Sequence, residues 1–333
     1  MDRFIVGTGR CGSTLLSRML AESPEVASLF EFFNGLEMGR RFGDEPADGE
    51  EFAGLISQKH PFVTMVLSRG YEVPEIIYPF APGSRFQKGD GLPWIAVSAL
   101  PRLSDDPDAL YDETLAFARS LPKRHLREQY RALFDWWTKR TGRRCWVERS
   151  GSSIDYVESL QRFFPEARFL HIHRDGREAA LSMREHHAFR LAVSLMTRHR
   201  TEGKTIAELG SLETGQAADD SDPISTMLKG RPDAVHFGRF WSDQVLRGHR
   251  ALRRLEADRY TELRFEDLLA RPEEELARIA RFFALDPDAG GWRDRAAALI
   301  GETPDDRRAA LPEDEARRLE EACAPGNTLL GRG

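Results

Sequence analysis

Residues 4–20 read FIVGTGRCGSTLLSRML. Three apolar residues, a glycine-containing turn and leucines at helical spacing predict a strand at Phe4–Val6 that leads through the turn into a helix. The free N–H groups of the first helical turn and the positive end of the helix dipole then face the turn. Such an arrangement binds phosphate or sulfate. The stretch therefore predicts an α/β protein with an anion-binding loop close to Met1.

Along the rest of the chain, apolar runs of strand length alternate with helical patterns, which is typical of a mostly parallel sheet covered by helices. Further strands are predicted at Cys145–Glu148, Arg168–His173 and Arg259–Arg264. The predicted helices are Ser13–Glu22, Ile154–Phe164, Arg177–His187, Val235–Glu256 and Pro272–Phe283, with a helix pair over Leu110–Arg140 that is broken at Pro122. We therefore expect an α/β fold with a central, mostly parallel sheet flanked by helices.

Two stretches do not follow this alternation. Residues 42–108 are dense in glycine and proline and carry several aromatic residues, and residues 201–233 are polar and rich in glycine and acidic residues. Long connections in compact domains are usually functional or mobile. We expect a single domain over residues 1–333, with an inserted, lid-like segment at about 42–108 and a flexible excursion at about 201–233.

Composition excludes several classes of protein. Lys and Arg number 48 against 54 Asp and Glu, a formal net charge of −6, so no global field attracts nucleic acid. Three distant cysteines form neither a disulfide framework nor a zinc-binding spacing. No secretory signal is visible and no apolar run approaches the roughly 20 residues of a membrane span. We expect a soluble, cytoplasmic protein without a metal ion, whose anionic ligand is held by a local site.

The loop partly matches the nucleotide P-loop of kinases and NTPases. Gly7 and Gly12 have the required spacing and Thr14 occupies the hydroxyl position, but Ser13 stands where the P-loop has lysine. The positive charge sits inside the loop, at Arg10. Because the lysine is missing, binding of the β- and γ-phosphates of a nucleotide is less well supported. A kinase or NTPase would also need an acidic magnesium ligand after a strand, and none is evident in the sequence.

Two other interpretations of the loop remain open. Gly7, Gly9 and Gly12 satisfy the dinucleotide fingerprint, and Glu31 lies at about the distance of the residue that holds the ribose. A tight turn that binds no ligand has the same sequence requirements. The spacing of the glycines alone does not separate these alternatives.

The loop strongly resembles the phosphosulfate-binding loop of the sulfotransferases. In that family Arg or Lys precedes a Gly-Ser/Thr-Thr hydroxyl cluster at the start of the first helix, and here the corresponding residues are Arg10, Cys11, Gly12, Ser13 and Thr14. The resemblance implies 3′-phosphoadenosine 5′-phosphosulfate as donor and 3′,5′-adenosine bisphosphate as product. It also implies a P-loop-like, three-layer α/β fold, and that no metal is needed.

A second motif supports this resemblance. In RFLHIHRDGREAALS, residues 168–182, Arg174 at a strand end precedes Ser182 by eight positions. This resembles the family's 3′-phosphate signature, in which a guanidinium and a hydroxyl share the extra phosphate. Arg149, in the segment Trp146–Ser150, occupies a place where bacterial and carbohydrate-type members often have lysine, and its role is left open. The resemblance spans about Phe4–Phe33 and Cys145–Leu285, and we expect Arg264 and Glu266 within it to be structural.

Sulfuryl transfer needs stabilisation of charge on the departing phosphate and a base for the acceptor's proton. Arg10 is our candidate for the first role. Glu31 is our candidate for the second, because residues 28–34 resemble a segment of sulfotransferases that have a glutamate soon after the first helix. Apolar neighbours Phe30, Phe32 and Phe33 would raise the pKa of that carboxyl, although an exposed glutamate at a helix start is an alternative. Other branches of the family use histidine, so four histidines remain candidates: His60, His125, His186 and His187. His171 and His173 alternate along a strand and are expected to be packed.

Together these observations predict a sulfotransferase. We expect it to move a sulfuryl group from 3′-phosphoadenosine 5′-phosphosulfate to a hydroxyl of a small-molecule, lipid or carbohydrate acceptor. The aromatic residues of the insertion favour an acceptor with apolar parts. The alternatives are a P-loop nucleotide kinase or NTPase and a non-catalytic module that binds adenosine phosphates.

Overall fold

The computed structural model of this chain describes residues 1–202, 222–301 and 307–332. The chain divides into two compact units. The first comprises residues 1–58, 93–174 and 247–303, and the second comprises residues 59–92, 175–246 and 304–333.

A five-stranded sheet forms the centre of the first unit. Its strands are β1 (Arg3–Val6), β2 (Val26–Phe30), β3 (Cys145–Arg149), β4 (Arg168–His173) and β5 (Tyr260–Arg264). Their order is β2-β3-β1-β4-β5, and every neighbouring pair is parallel. The predicted α/β class with a central parallel sheet is confirmed.

Fourteen α-helices occur among the described residues. They are α1 (Ser13–Ala21), α2 (Gly49–Ile56), α3 (Pro61–Leu67), α4 (Pro107–Ser120), α5 (Leu126–Arg140), α6 (Val157–Phe163), α7 (Gly176–Glu185), α8 (His187–Glu202), α9 (Pro223–Lys229), α10 (Ala234–Leu252), α11 (Phe265–Ala270), α12 (Pro272–Phe282), α13 (Trp292–Ala297) and α14 (Glu313–Leu329). The expected helix pair is α4 and α5, separated around Pro122. Proline at the first turn of α3, α4, α9 and α12 fits the fixed φ of that residue and its missing N–H.

Sequence patterns located four of the five strands to within one residue, but they missed β2. Its central residues, Ala27 and Ser28, lack the branched and aromatic side chains that identify a strand. The strand forms because residues from Val26 to Phe30 pair in register with residues from Cys145 to Arg149. Tertiary pairing therefore decides a conformation that local propensity leaves undetermined.

Apolar side chains cover both faces of the sheet, as expected for parallel strands. One face packs against α1, α11, α12 and α13, and its fully buried residues include Ile5, Leu16, Leu170, Ile172, Leu263, Leu276, Ile279 and Trp292. The opposite face carries an aromatic cluster in which Phe4 contacts Phe33, Trp146, Phe164 and Phe169 at 5.0–6.4 Å between ring centroids. The second unit has its own core around Phe237 and Trp241.

The proposed insertion at 42–108 contains two short helices, α2 and α3, and a single π-helical turn at Ile95–Ala99. Its residues 59–92 belong to the second unit and its remainder to the first. Most of the proposed excursion at 201–233 lies outside the described residues. Within the described part of the chain, no helix is both long and apolar enough to cross a membrane.

Candidate active site

The loop that connects β1 to α1 lies at the carboxyl edge of the sheet, where ligands bind in open α/β folds. A side chain at Gly7 would place its Cβ 2.5 Å from the carbonyl oxygen of Ile172, so only glycine fits there. Gly12 has φ of 93°, and its Cβ would lie 2.0 Å from the ring of Phe265. These glycines hold the loop against its neighbours and fix its path.

The N-terminus of α1 is free of the side-chain caps that other helices have. Its N-cap residue is Gly12, and its first turn contains no acidic residue. By contrast, Asp48, Asp106 and Asp222 cap α2, α4 and α9 through their carboxylates. The loop also buries the hydroxyl of Thr8, which has no hydrogen-bond partner. These residues fit an anionic group such as a phosphosulfate, because its oxygens would accept from unsatisfied donors.

The other loop residues contribute charge and hydroxyl groups. Arg10 adopts φ of 61° and is partly exposed. Cys11 is fully buried, and burial raises the pKa of its thiol, so the thiol brings no negative charge to the loop. Ser13 is buried, and the hydroxyl of Thr14 accepts a hydrogen bond from Nη2 of Arg149.

Glu31 follows β2 directly and is buried, with φ of 55°. Its Oε1 is paired with Nη1 of Arg149. The N–H of Gly151 donates to both carboxylate oxygens at 3.1 and 3.0 Å, and Asn34 Nδ2 donates to Oε2 at 2.5 Å. The apolar setting and the exposed helix start that the sequence suggests are therefore both wrong. The structure surrounds this carboxylate with donors instead.

Further contacts hold the Glu31 segment in place. Trp94 Nε1 donates to the backbone carbonyl of Glu31 at 2.7 Å, and the Trp94 ring lies so close to Gly35 that a Cβ there would clash at 2.3 Å. Tyr156 donates its hydroxyl to Oδ1 of Asn34 at 3.1 Å, which orients the Asn34 amide towards the carboxylate. These contacts stabilise a left-handed backbone that is unfavourable for glutamate.

A second buried carboxyl lies beside this group. Glu148, on β3, accepts from the hydroxyl of Ser150 at 2.6 Å, and Ser150 in turn accepts from the N–H of Phe33 at 3.1 Å. Burial raises the pKa of Glu148 to about 8. At neutral pH this side chain is therefore mostly protonated and contributes little negative charge.

The two residues of the 3′-phosphate motif lie in different units. Arg174 follows β4 in the first unit, and its guanidinium carbon lies 5.3 Å from the ring centroid of Phe265. Ser182 lies on α7 in the second unit and is buried. Arg174 therefore lies over the same Phe265 ring that packs against Gly12 of the loop, and all three residues belong to the first unit.

Each of the four alternative histidine bases already has a structural contact. His60 and His125 accept backbone N–H groups at the starts of α3 and α5. His186 Nε2 lies 3.0 Å from Glu75, and His187 Nδ1 lies 3.2 Å from the carbonyl of Glu72. His171 and His173 are buried in β4, as their alternation predicts.

Several residues around Glu31 have no recognisable sequence signature. They are Asn34, Trp94, Gly151 and Tyr156. The sequence offers two weak signals for them. One is the polar turn Ser150–Ser153, which follows a buried strand, and the other is the amide side chain of Asn34, three residues after Glu31. Glu148 could have been noticed as a charged residue inside an apolar strand.

Comparison with known proteins adds independent evidence. The model of a sulfotransferase family matches residues 102–218, which include Arg149, Arg174 and Ser182. The resemblance to the sulfotransferase family is confirmed. No curated protein matches the sequence.

Solved sulfotransferases are among the structural matches to the chain, with low sequence identity and TM-scores below 0.5. The sulfotransferase domain of the Synechococcus PCC 7002 olefin synthase is 17% identical and has a TM-score of 0.41, covering 97% of this chain and 94% of its own. A sulfotransferase from Mycobacterium avium is 19% identical, with a TM-score of 0.44 and coverage of 98% and 76%. One from Alicyclobacillus acidocaldarius is 16% identical, with a TM-score of 0.40 and coverage of 100% and 97%.

The sulfotransferase match begins at residue 102, so the loop at residues 7–14 and Glu31 both precede it and lie outside it. The roles of these residues therefore depend on the motif and on the geometry described above. Among residues 1–202, 222–301 and 307–332, no cluster of three or more His, Cys, Asp or Glu side chains could hold a metal ion.

Proposed function

We propose that this sulfotransferase uses 3′-phosphoadenosine 5′-phosphosulfate as donor and a hydroxyl group as acceptor, in the cytoplasm. The observation that carries the proposal is the link through Arg149 between the Thr14 hydroxyl of the uncapped loop and the buried carboxylate of Glu31. An anion-binding loop and a candidate base thus belong to one connected group of side chains.

In this proposal the loop residues bind the phosphosulfate end of the donor. The residues are Arg10, Cys11, Gly12, Ser13 and Thr14, which supply backbone N–H groups, two hydroxyls and one guanidinium. Arg174 and Ser182 bind the 3′-phosphate, as the resemblance implies. The donor supplies an activated sulfuryl group, and these positive and polar groups stabilise the charge that develops on the departing phosphate.

Glu31 acts as the general base. It accepts the proton of the acceptor's hydroxyl while the acceptor oxygen forms a bond to sulfur. The bond from sulfur to the bridging oxygen breaks, and its electron pair leaves on the 5′-phosphate of 3′,5′-adenosine bisphosphate. Arg10 neutralises that new charge. The acceptor is a small molecule, lipid or carbohydrate with apolar parts.

Transfer of labelled sulfate from this donor to a panel of hydroxyl acceptors, with magnesium chelated, tests the proposal. We expect turnover by the wild type and by Glu50→Gln, which changes an exposed carboxylate, and at least ~100-fold less by Glu31→Gln. Full activity of Glu31→Gln would exclude it as the base. Donor binding without transfer to any acceptor would favour a non-catalytic module, and magnesium-dependent ATP turnover would favour a kinase or NTPase.

A further inference from the structure

Arg149 joins the two halves of the candidate site through one buried side chain. It is the last residue of β3, and its side chain is 2% exposed. Nη1 is paired with Glu31 and Nη2 donates to the Thr14 hydroxyl, while the guanidinium carbon lies 4.3 Å from the ring centroid of Phe30. Because the Thr14 oxygen accepts from Arg149, the hydroxyl proton of Thr14 is directed elsewhere and can be donated to an anion.

The donors around Glu31 leave little capacity for another proton. Gly151 donates to both oxygens, Asn34 to Oε2 and Arg149 to Oε1. A carboxylate has about four lone-pair sites, so a hydroxyl proton can reach Glu31 only if one of these donors withdraws. The number of donors is thus a constraint on any reaction in which Glu31 serves as a base.

Arg149 is the donor that is best able to withdraw. The Gly151 group is backbone, and Asn34 is held on two further sides, by Tyr156 at 3.1 Å and by the Gly151 carbonyl at 2.7 Å. Arg149 has a long side chain whose guanidinium can exchange one oxyanion for another. Two oxygens of a sulfuryl or phosphate group can accept from its planar guanidinium in a bidentate pair, as the two oxygens of a carboxylate do.

We propose that Arg149 is a catalytic residue that exchanges partners, pairing with Glu31 in the donor-free protein and with the sulfuryl group when the donor binds. This inference depends on the proposed function and adds a role for Arg149 that couples the two substrates. The exchange frees Oε1 of Glu31 for the acceptor's hydroxyl, so the base is competent only when donor is present. The guanidinium stabilises the transferring group at the same time.

The exchange implies competition between Glu31 and the donor for one guanidinium. Removal of the Glu31 charge must therefore strengthen donor binding. We expect Glu31→Gln to bind the phosphosulfate donor about fivefold more tightly than the wild type in calorimetry without an acceptor. The increase for 3′,5′-adenosine bisphosphate should be smaller, because that product lacks the sulfuryl group.

Two variants complete the experiment. Glu50→Gln makes the same change in net charge at an exposed site and should leave both affinities unchanged. In the double variant Arg149→Met/Glu31→Gln, which retains no buried unpaired charge, the preference for the sulfated donor over the bisphosphate should fall below that of the wild type. Circular dichroism and thermal unfolding verify that each variant is folded.

The outcomes separate the exchange from the proposed function. Unchanged or weaker donor binding by Glu31→Gln, while the wild type binds both nucleotides, would overturn the exchange and leave the sulfotransferase proposal standing. Equal donor preference in the double variant and the wild type would also overturn it. Failure of the wild type to bind either nucleotide would instead reject the proposed function.

Discussion

Arg149 and Glu31, 118 positions apart in the sequence, form an ion pair in which the two side chains are only 2% and 3% exposed. Removal of one member of a buried pair leaves the other charge without compensation. The pair therefore links stability to the candidate chemistry, because the same side chains that connect β2 and β3 at their carboxyl ends also form the site.

Arg149→Met should lower the free energy of unfolding by about 3–5 kcal/mol, because it leaves the Glu31 carboxylate buried and unpaired. Urea denaturation measures this loss. The double variant Arg149→Met/Glu31→Gln should recover most of it. Arg119→Met, which breaks an exposed pair with Glu50, should change stability by no more than about 1 kcal/mol. A loss for Arg149→Met no larger than for Arg119→Met would contradict the buried pair.

Gly12→Ala should disrupt the loop by steric overlap. Its Cβ would lie 2.0 Å from Phe265, whereas a Cβ at Gly142 meets nothing within 4 Å, although both glycines have positive φ. Gly142→Ala should cost about 1–2 kcal/mol from backbone strain alone, and Gly12→Ala about 1–3 kcal/mol more from overpacking. Thermal unfolding compares them, and Phe265→Ala should partly rescue Gly12→Ala. Equal costs at the two glycines would disprove the close contact.

Glu148 should make the protein less stable as pH rises. Its pKa is about 8 in the fold against 4.5 when unfolded, so between these values the folded state holds a proton that the unfolded state has lost. The contribution of the neutral carboxyl to the free energy of unfolding is present in full below pH 4.5, and it decreases as the pH rises to about 8. The free energy of unfolding of Glu148→Gln, relative to that of the wild type, should therefore increase by on the order of 2–4 kcal/mol from pH 5 to pH 8.5. A difference between the two proteins that does not vary with pH would show that Glu148 titrates normally.

Arg10→Asn should separate activity from stability. Asparagine tolerates the left-handed backbone of this position, so we expect unfolding free energies within about 1 kcal/mol of the wild type. Sulfuryl transfer should fall by about 100-fold, because a positive group near the departing phosphate is lost. Arg18→Gln removes the same charge from an exposed position on α1 and should remain active. Normal turnover by Arg10→Asn would remove Arg10 from the mechanism.

The sequence predicts most of the fold because the strands β1, β3, β4 and β5 each contain aromatic, branched or other apolar residues in a short run, and a helical pattern follows each run. Buried parallel strands leave such a signal in almost any context. The strand β2 lacks it, since Ala27 and Ser28 are small and the strand depends on pairing with β3. The local sequence pattern therefore did not predict β2, because a strand distant in the sequence determines its conformation.

For the candidate site, too, the sequence identifies individual residues but not the contacts between distant ones. The resemblance to the sulfotransferases identifies Glu31 as a candidate base and Arg149 as a basic residue at the end of a strand. Their contact was not identifiable, because nothing local indicates that residues 118 positions apart meet. The sequence consequently suggests an apolar environment for Glu31, whereas the structure gives it a guanidinium, an amide and a backbone N–H.

The most direct test of the account is calorimetry of the wild type with 3′,5′-adenosine bisphosphate, AMP, ATP and NAD, without magnesium and again with it. The bisphosphate should bind in both conditions and more tightly than the other three, and Arg174→Ala should weaken it far more than AMP. Tighter binding of magnesium-ATP or of NAD would contradict a phosphosulfate-dependent enzyme. Equal losses for the bisphosphate and AMP would mean that Arg174 does not bind the 3′-phosphate.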